Sequence, residues 1–484
     1  MLFTTGMEQM PVFNTITPWH ITGMAVTLVF VALIGILAGK KVKTEDDFTG
    51  RSRKASSTLI AGTIMGTLVG GASTIGTAQL AYQYGFCAWW MTLGAGIGCL
   101  ALALVWLKPL YKSNQETIPQ YLVKTYGPAI GPISSIFTSA GMCFNTVAQG
   151  MAAVALLTTV FRINAGYALM IAVVLVLAYV LAGGVQGTGM VGVVKLILLY
   201  GVVAVTGILA YQLFGGINGL SAAFPQRYPW FSLFGRGLST DLAAGFSLLC
   251  GVLSTQTYIQ AIMSGKTVKV SRKGAVLSSL LIPPIGVGGI LVGLYMRANT
   301  ASFPGLNSCD VLPVFVLHHL PPVVAGIVIA TLLIAVIGTW AGVALGISTM
   351  LTRDIYKQFI NKKADSKSTL LVQRGIILAT CLMVYSFISL NPGGLILDFS
   401  YLSMGLRGCT VLFPMLGAIF FNRFVTPAGG IAAAILGPLT DFGWHFIFPH
   451  GIDALYPGLI ASLAALVLGS LLTQGKYHAA ASKA

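Results

Sequence analysis

Two cationic side chains fall where the chain should be inside a lipid bilayer. Lys195 and Arg407 both interrupt long apolar runs, and a charge at that depth is costly and usually serves a substrate, an ion or a proton. Arg407 lies about twelve residues into its run, roughly 18 Å along a helix and so near mid-bilayer. None of the 12 acids falls clearly at mid-membrane. An anionic substrate would supply the missing counter-charge, because a guanidinium fork suits a carboxylate; a structural Arg that caps carbonyls or reaches Asp398 is the other reading. Lys195 sits a few residues inside the membrane boundary, where a lysine also can snorkel to water.

Two apolar segments carry polar groups that a plain lipid-spanning helix does not need. "GTLVGGASTIGTAQLAYQYG" (66–85) contains five glycines together with Ser73, Thr74, Thr77 and Gln79. "SLLCGVLSTQTYIQ" (247–260) sets Gly251 ahead of Gln256, Tyr258 and Gln260. Glycine makes a helix break inexpensive, and broken helices at the midplane free carbonyls for cations and amides for anions. Close packing through small residues, such as Gly66 and Gly70 in GxxxG spacing, is the competing explanation. The buried amides favour a site, since each needs a partner. Asn145 and Gln149 share one helix face at i, i+4 and add two more.

The elements that must position these groups are membrane helices. The chain has 484 residues, 56% hydrophobic and 8% charged, against about 25% charged in a soluble domain. Thirteen apolar runs, from 18–38 to 456–474, are long enough to span a bilayer as helices. They include 57–82, 166–183, 191–214 and 240–263. Ten-residue alternation, the mark of a membrane β-barrel, is not the pattern. The net charge of +16 is topological: 22 of the 28 cations fall in one alternate set of loops. The positive-inside rule then places the N-terminus outside and the C-terminus in the cytoplasm, with no nucleic acid as partner. The six histidines show no metal-ligand spacing, and no phosphate-binding loop, metalloprotease helix or nucleophile elbow is present. The chain does not read as an enzyme, and no cofactor is expected.

Several ordered stretches resemble the sodium:solute symporter family. They are "GASTIG" (71–76), "TIPQYLVKTYG" (117–127), "YVLAGGVQG" (179–187), "QTYIQAIMSGKT" (256–267), the run 310–339, "RDIYKQF" (353–359) and "PMLGAIFFNRFVTPAGG" (414–430). The resemblance implies a leucine-transporter-like fold. Spans 2–6 and 7–11 would form a five-plus-five inverted repeat with two broken helices, flanked by spans 1, 12 and 13. It implies alternating access coupled to a cation gradient. The family's main sodium site would take backbone carbonyls at the positions matching Ala72, Ile75 and Ala335. Its two hydroxyl positions fall on Gly338 and Thr339, so one hydroxyl is missing. The family's acidic position falls on Gly192 and its following Gln on Lys195. The chain thus has lost an acid and gained a base beside a reduced cation cage, and a Lys195 ammonium could replace the diffusible ion. The same resemblance places Gln79, Asn145, Gln149, Gln256 and Tyr258 toward substrate; Thr74 in the first broken segment and the intramembrane Arg407 join them as candidate substrate contacts.

These readings combine into one expectation: an all-α polytopic membrane protein of about 13 helices. Residues 1–56 form an outer segment, first helix and basic loop; 57–421 the transport core (57–214 and 240–421); and 422–484 the flanking helices. The expected function is symport of a small polar, anionic organic solute across a bacterial-type inner membrane. The coupling ion is sodium or a proton, and the protein is a monomer or weak oligomer in the bilayer. A sodium symporter with an atypical site and a transporter-like solute sensor are the alternatives.

Overall fold

The computed structural model describes residues 16–39, 53–115, 117–224, 228–390, 394–448 and 451–481; within these, side chains are described outside 35–39, 181–191 and 475–481. Among the described residues the chain is helical, with no extended strand. Eight helices are long and apolar enough to cross a membrane, and a bent pair makes a ninth.

Local chemistry sets the helix ends. The first long helix, α1 (Pro18–Gly39), is followed by α2 (Ser57–Leu68), whose N-cap Ser56 accepts a hydrogen bond from the Leu59 amide. That cap satisfies one of the four donors every helix start leaves open. A π-helical turn (Ala72–Gly76) leads into α3 (Thr77–Tyr84), then come α4 (Trp90–Ala101) and α5 (Leu107–Ser113). Gly85 makes the turn between α3 and α4 at φ +78°, where a Cβ would collide with the Trp230 carbonyl. Thr117 caps α6 (Ile118–Tyr126), with Pro119 in its first turn, as proline's fixed φ allows. Helix α7 (Ile130–Phe161) follows and ends on Arg162 in the left-handed region.

Helix α8 runs from Ala165 to Leu213 without a break. Two separate spans were expected there, 166–183 and 191–214. The glycines between the two runs do not interrupt the backbone, and no proline lies there to remove a helix donor. Its 49 residues measure about 73 Å at 1.5 Å each, the length of two crossings. The family-like stretch 179–187 falls mostly among residues whose side chains are not described.

The second half begins with the short α9 (Gly216–Ala222) and α10 (Leu238–Ser254). Thr255, in extended conformation, joins α10 to α11 (Gln256–Met263) at an angle of 52°. The remaining helices are α12 (Val268–Ala298), α13 (Val311–His319), α14 (Pro322–Met350), α15 (Ser366–Leu390), α16 (Ile396–Phe420), α17 (Pro427–Ile447) and α18 (Leu455–Ala481). Helix α14 is almost wholly buried and forms the central post. Helices α2 and α8 touch through glycine. A Cβ at Gly192 would collide with the Gly62 carbonyl, and one at Gly66 would lie 2.8 Å from the Gly192 Cα. This contact is the close approach that small residues permit, and it holds Lys195, one turn on, against the end of α2.

Candidate cation and solute site

The first broken helix ends sooner than its glycine content suggested. Helix α2 stops at Leu68, and Val69 is extended at φ −89°, ψ 103°. The Gly70 amide, which an unbroken helix would give to the Gly66 carbonyl, instead donates to Ser73 Oγ at 2.9 Å. The Gly66 carbonyl is thereby released, as carbonyls of a last helical turn are.

Lys195 takes it. Its Nζ donates to Gly66 O at 2.6 Å, to Ala335 O at 2.8 Å and to Thr339 Oγ1 at 2.9 Å. An ammonium has three N–H groups, and all three are used. Thr339 in turn donates toward Val69 O, 3.2 Å away. Lys195 is only 2% exposed; it is buried rather than snorkelled to water. Charge-assisted hydrogen bonds of about 1.5–3 kcal/mol each oppose a desolvation cost of several kcal/mol. The negative end of the α2 dipole adds to them.

The carbonyls of Ala72 and Ile75, expected around the cation, belong to the π-helical turn beyond the break, and Ala72 O accepts a hydrogen bond from Thr77. The first-break carbonyl on the ammonium is that of Gly66, and Val69 O accepts from the Thr339 hydroxyl. The physical reason is that a break frees the acceptors before it, while residues after it start a new helix. Ala335 and Thr339 do face the ammonium. A Cβ on Gly338 would lie 3.8 Å from Lys195 Nζ, in ordinary contact. Gly192 serves the α2–α8 packing described above.

The second break holds the other buried cation. Arg407, on α16 and 1% exposed, donates from Nη1 to Thr255 Oγ1 at 2.7 Å, from Nε to Ser403 O at 2.9 Å and from Nη2 to Ser403 Oγ at 3.1 Å. Nη2 also contacts Met404 Sδ. One of its five N–H groups, on Nη1, has no acceptor among these. Asp398 is not its partner. It lines a separate cavity with Arg236 and Asp441. Tyr258, buried on α11, lies within electrostatic reach of Arg407. Gly141 on α7 packs against the Arg407 side chain. One turn further along α7, the buried Asn145 keeps an Oδ1 with no partner, as Gln260 Oε1 does on α11. Gln149, one more turn along α7, accepts from the Gly71 amide at 2.8 Å and so reaches the first break. Thr74 Oγ1 donates back to Gly70 O at 2.8 Å.

Two expected substrate contacts lie elsewhere. Gln79 Oε1 accepts from the Ile396 amide at 3.1 Å, while its Nε2 reaches Ser308 Oγ at 3.3 Å and Gly394 O at 3.4 Å. It ties α3 to the loop before α13 and to the start of α16. Gln79→Ala is expected to cost about 1–3 kcal/mol of stability, seen as a lower Tm, with solute KM within about twofold of wild type. A large rise in KM at unchanged Tm would return Gln79 to the solute site. Gln256 Oε1 accepts from the Ile118 amide at 3.3 Å and holds α6 against α11. Sequence reasoning missed Gly66, Val69, Thr255 and Ser403. It also missed Asp354, fully buried between Thr117, Gln120 and Ser135, which all donate to it within 3.0 Å. The double glycine at 70–71 was the signal for the first break; nothing local marks Ser403.

Comparison with known proteins agrees with this architecture. The model of the sodium:solute symporter family matches residues 48–437. The sodium/proline symporter of Haemophilus influenzae is 23% identical over 91% of this chain and 92% of its own. The sodium/pantothenate symporter of the same organism is 24% identical over 92% and 96%. In three dimensions the chain is similar to a Na+-coupled sialic acid symporter in its substrate-bound outward-open state, with a TM-score of 0.75 at 17% identity, covering 94% of this chain and 97% of that one. The chain is a multi-pass protein of the bacterial-type inner membrane and a transporter, not an enzyme, and it belongs to the sodium:solute symporter family.

Proposed function

We propose that this solute symporter carries a small polar anion by alternating access, with the Lys195 ammonium standing where a diffusible cation would otherwise sit. The observation that carries the reading is the triple hydrogen bond of Lys195 Nζ to Gly66 O, Ala335 O and Thr339 Oγ1. A sodium ion needs a cage of oxygens; here those oxygens already hold a positive charge that cannot leave. Lysine, unlike arginine, can release a proton when its surroundings change. Transport is then driven by protons passing through Nζ, or proceeds without a coupling ion. In the second case the protein is a sodium-independent carrier.

The solute reading rests on Arg407. Its spare N–H at the second break suits a carboxylate, and Asn145 Oδ1 on α7 and Gln260 Oε1 on α11 are open acceptors on the helices that flank it. Relatives are named for pantothenate and sialic acid, and both solutes are carboxylic acids. The core in this proposal is 57–421, with 57–214 and 240–421 as inverted repeats. The spans run from an outer N-terminus to a cytoplasmic C-terminus, and the protein works as a monomer or weak oligomer.

Uptake into proteoliposomes tests the reading, using labelled proline, pantothenate and sialate as the first panel. Accumulation should follow an imposed pH gradient or proceed without one, and replacing sodium with choline should leave it unchanged. Uptake that requires a sodium gradient and survives Lys195→Gln would overturn it. Binding without accumulation would assign a sensor instead.

A further inference from the structure

A second polar centre lies at the end of the bundle opposite the lysine-rich loops. Arg236, Asp398, Tyr401, Asp441, His445 and Asp453 line a cavity of about 100 Å³ between α10, α16, α17 and the start of α18. Arg236 is engaged by a carboxylate at the rim: its Nε lies 2.8 Å from Asp241 Oδ1 and its amide donates to Oδ2. That pair is neutral, and Asp398, Asp441 and Asp453 add three more carboxyl groups to the lining, beside His445. Three buried atoms here have no hydrogen-bond partner: Asp441 Oδ2, Tyr401 Oη and Arg236 Nη2. Asp441 is only 2% exposed. Its carboxyl oxygens face Gly405 of α16, and its Cβ packs against Gly458 of α18, where any larger side chain would collide.

A buried carboxylate oxygen with no donor is expensive unless something occupies the space it faces. The cavity holds about three waters at roughly 30 Å³ each, which limits any ligand to a small ion with part of its hydration shell. Carboxylate and phenol oxygens are hard donors suited to alkali ions and ammonium. Among the described residues no three acidic, histidine or cysteine side chains converge closely enough to hold a metal directly. An ion here therefore keeps water between itself and some of the carboxyl groups, and with one carboxyl and one phenol as its direct ligands the site suits a single positive charge.

We propose that this cavity binds one small monovalent cation, with Asp441 as its main ligand and Tyr401 and water completing the shell. The site shares no helix with the Lys195 cage, which is built from α2, α8 and α14. It offers the chain a place for a diffusible cation even though that cage is filled.

The test is thermal unfolding of the purified full chain in chlorides of sodium, potassium, ammonium and choline at equal ionic strength. At least one small cation should raise Tm in a saturable way that choline does not reproduce. Asp441→Asn should weaken the apparent affinity by about tenfold or more, and Tyr401→Phe by a few-fold. The part of the titration that is lost in Asp441→Asn should persist in Lys195→Gln, which separates this site from the proposed function. Identical behaviour in choline and all small cations would overturn the proposal. So would Asp441→Asn titrating like wild type, or a cation effect lost in Lys195→Gln but kept in Asp441→Asn. If Asp441→Asn does not fold, Asp398→Asn and Tyr401→Phe carry the same comparison, and wild-type affinity in both overturns the site.

Discussion

Lys195→Ala is expected to unfold at a markedly lower temperature in choline buffer and to recover part of the loss in sodium. The substitution removes one ammonium and leaves Gly66 O, Ala335 O and Thr339 Oγ1 without their donor. Each orphaned buried acceptor costs about 1–3 kcal/mol. The vacated space is faced by those three oxygens. Three oxygens hold sodium weakly, because a hard cation prefers about six. Adding Gly338→Ser should strengthen the site, since a Cβ there meets Lys195 atoms and Tyr179 Oη at no less than 3.7 Å and so has room. At a sodium concentration near one hundred times Kd, the double variant should gain about 2.7 kcal/mol of stability. The titration is best read in an Asp441→Asn background, so that only the Lys195 cage responds. A double variant indifferent to sodium would show that these oxygens are not a cation cage.

Arg407→Gln is expected to reduce uptake of a carboxylate solute by about a hundredfold while sparing its neutral amide analogue. The guanidinium is buried, holds Thr255 at the second break, and has one N–H on Nη1 without an acceptor. A charge-assisted bond to a carboxylate contributes about 1.5–3 kcal/mol, so the acid-over-amide preference should fall by about 10- to 150-fold. Arg407→Lys should not restore it, because an ammonium cannot bridge Thr255, Ser403 and the solute in one plane. An unchanged acid-to-amide ratio in Arg407→Gln would reduce Arg407 to a structural brace between α16 and the break. The stability of the variant, measured alongside, separates the two effects.

How much could be read in advance differs from residue to residue. Composition and apolar run length were enough for an all-helical membrane protein, because a bilayer tolerates few other structures. The two broken helices were visible as glycine and polar residues where none were needed. Their placement was less legible. The break in the first falls at Val69–Gly70, yet the resemblance had been registered on "GASTIG", which turns out to be the start of the next half-helix. The resemblance points to the carbonyls of Ala72 and Ile75, beyond the break, whereas the carbonyl that Lys195 reaches is that of Gly66, before it; Gln79 ties α3 to α16. Helix α8 is one helix where the apolar runs 166–183 and 191–214 were expected as separate spans.

The amino-acid sequence by itself determined that Lys195 and Arg407 are charges inside a membrane protein short of acids, and that Gly338 lacks a hydroxyl. These are matters of residue type and run length, and both are local. Only the tertiary structure decided what the charges touch. Lys195 meets carbonyls 129 and 140 residues away in the chain, and Arg407 meets a hydroxyl 152 residues away. Backbone oxygens carry no residue-specific mark, so no sequence pattern distinguishes the Gly66 carbonyl from its neighbours. What singles it out is a broken hydrogen bond to Gly70, made possible by Ser73, and a glycine contact that brings Lys195 within reach of it.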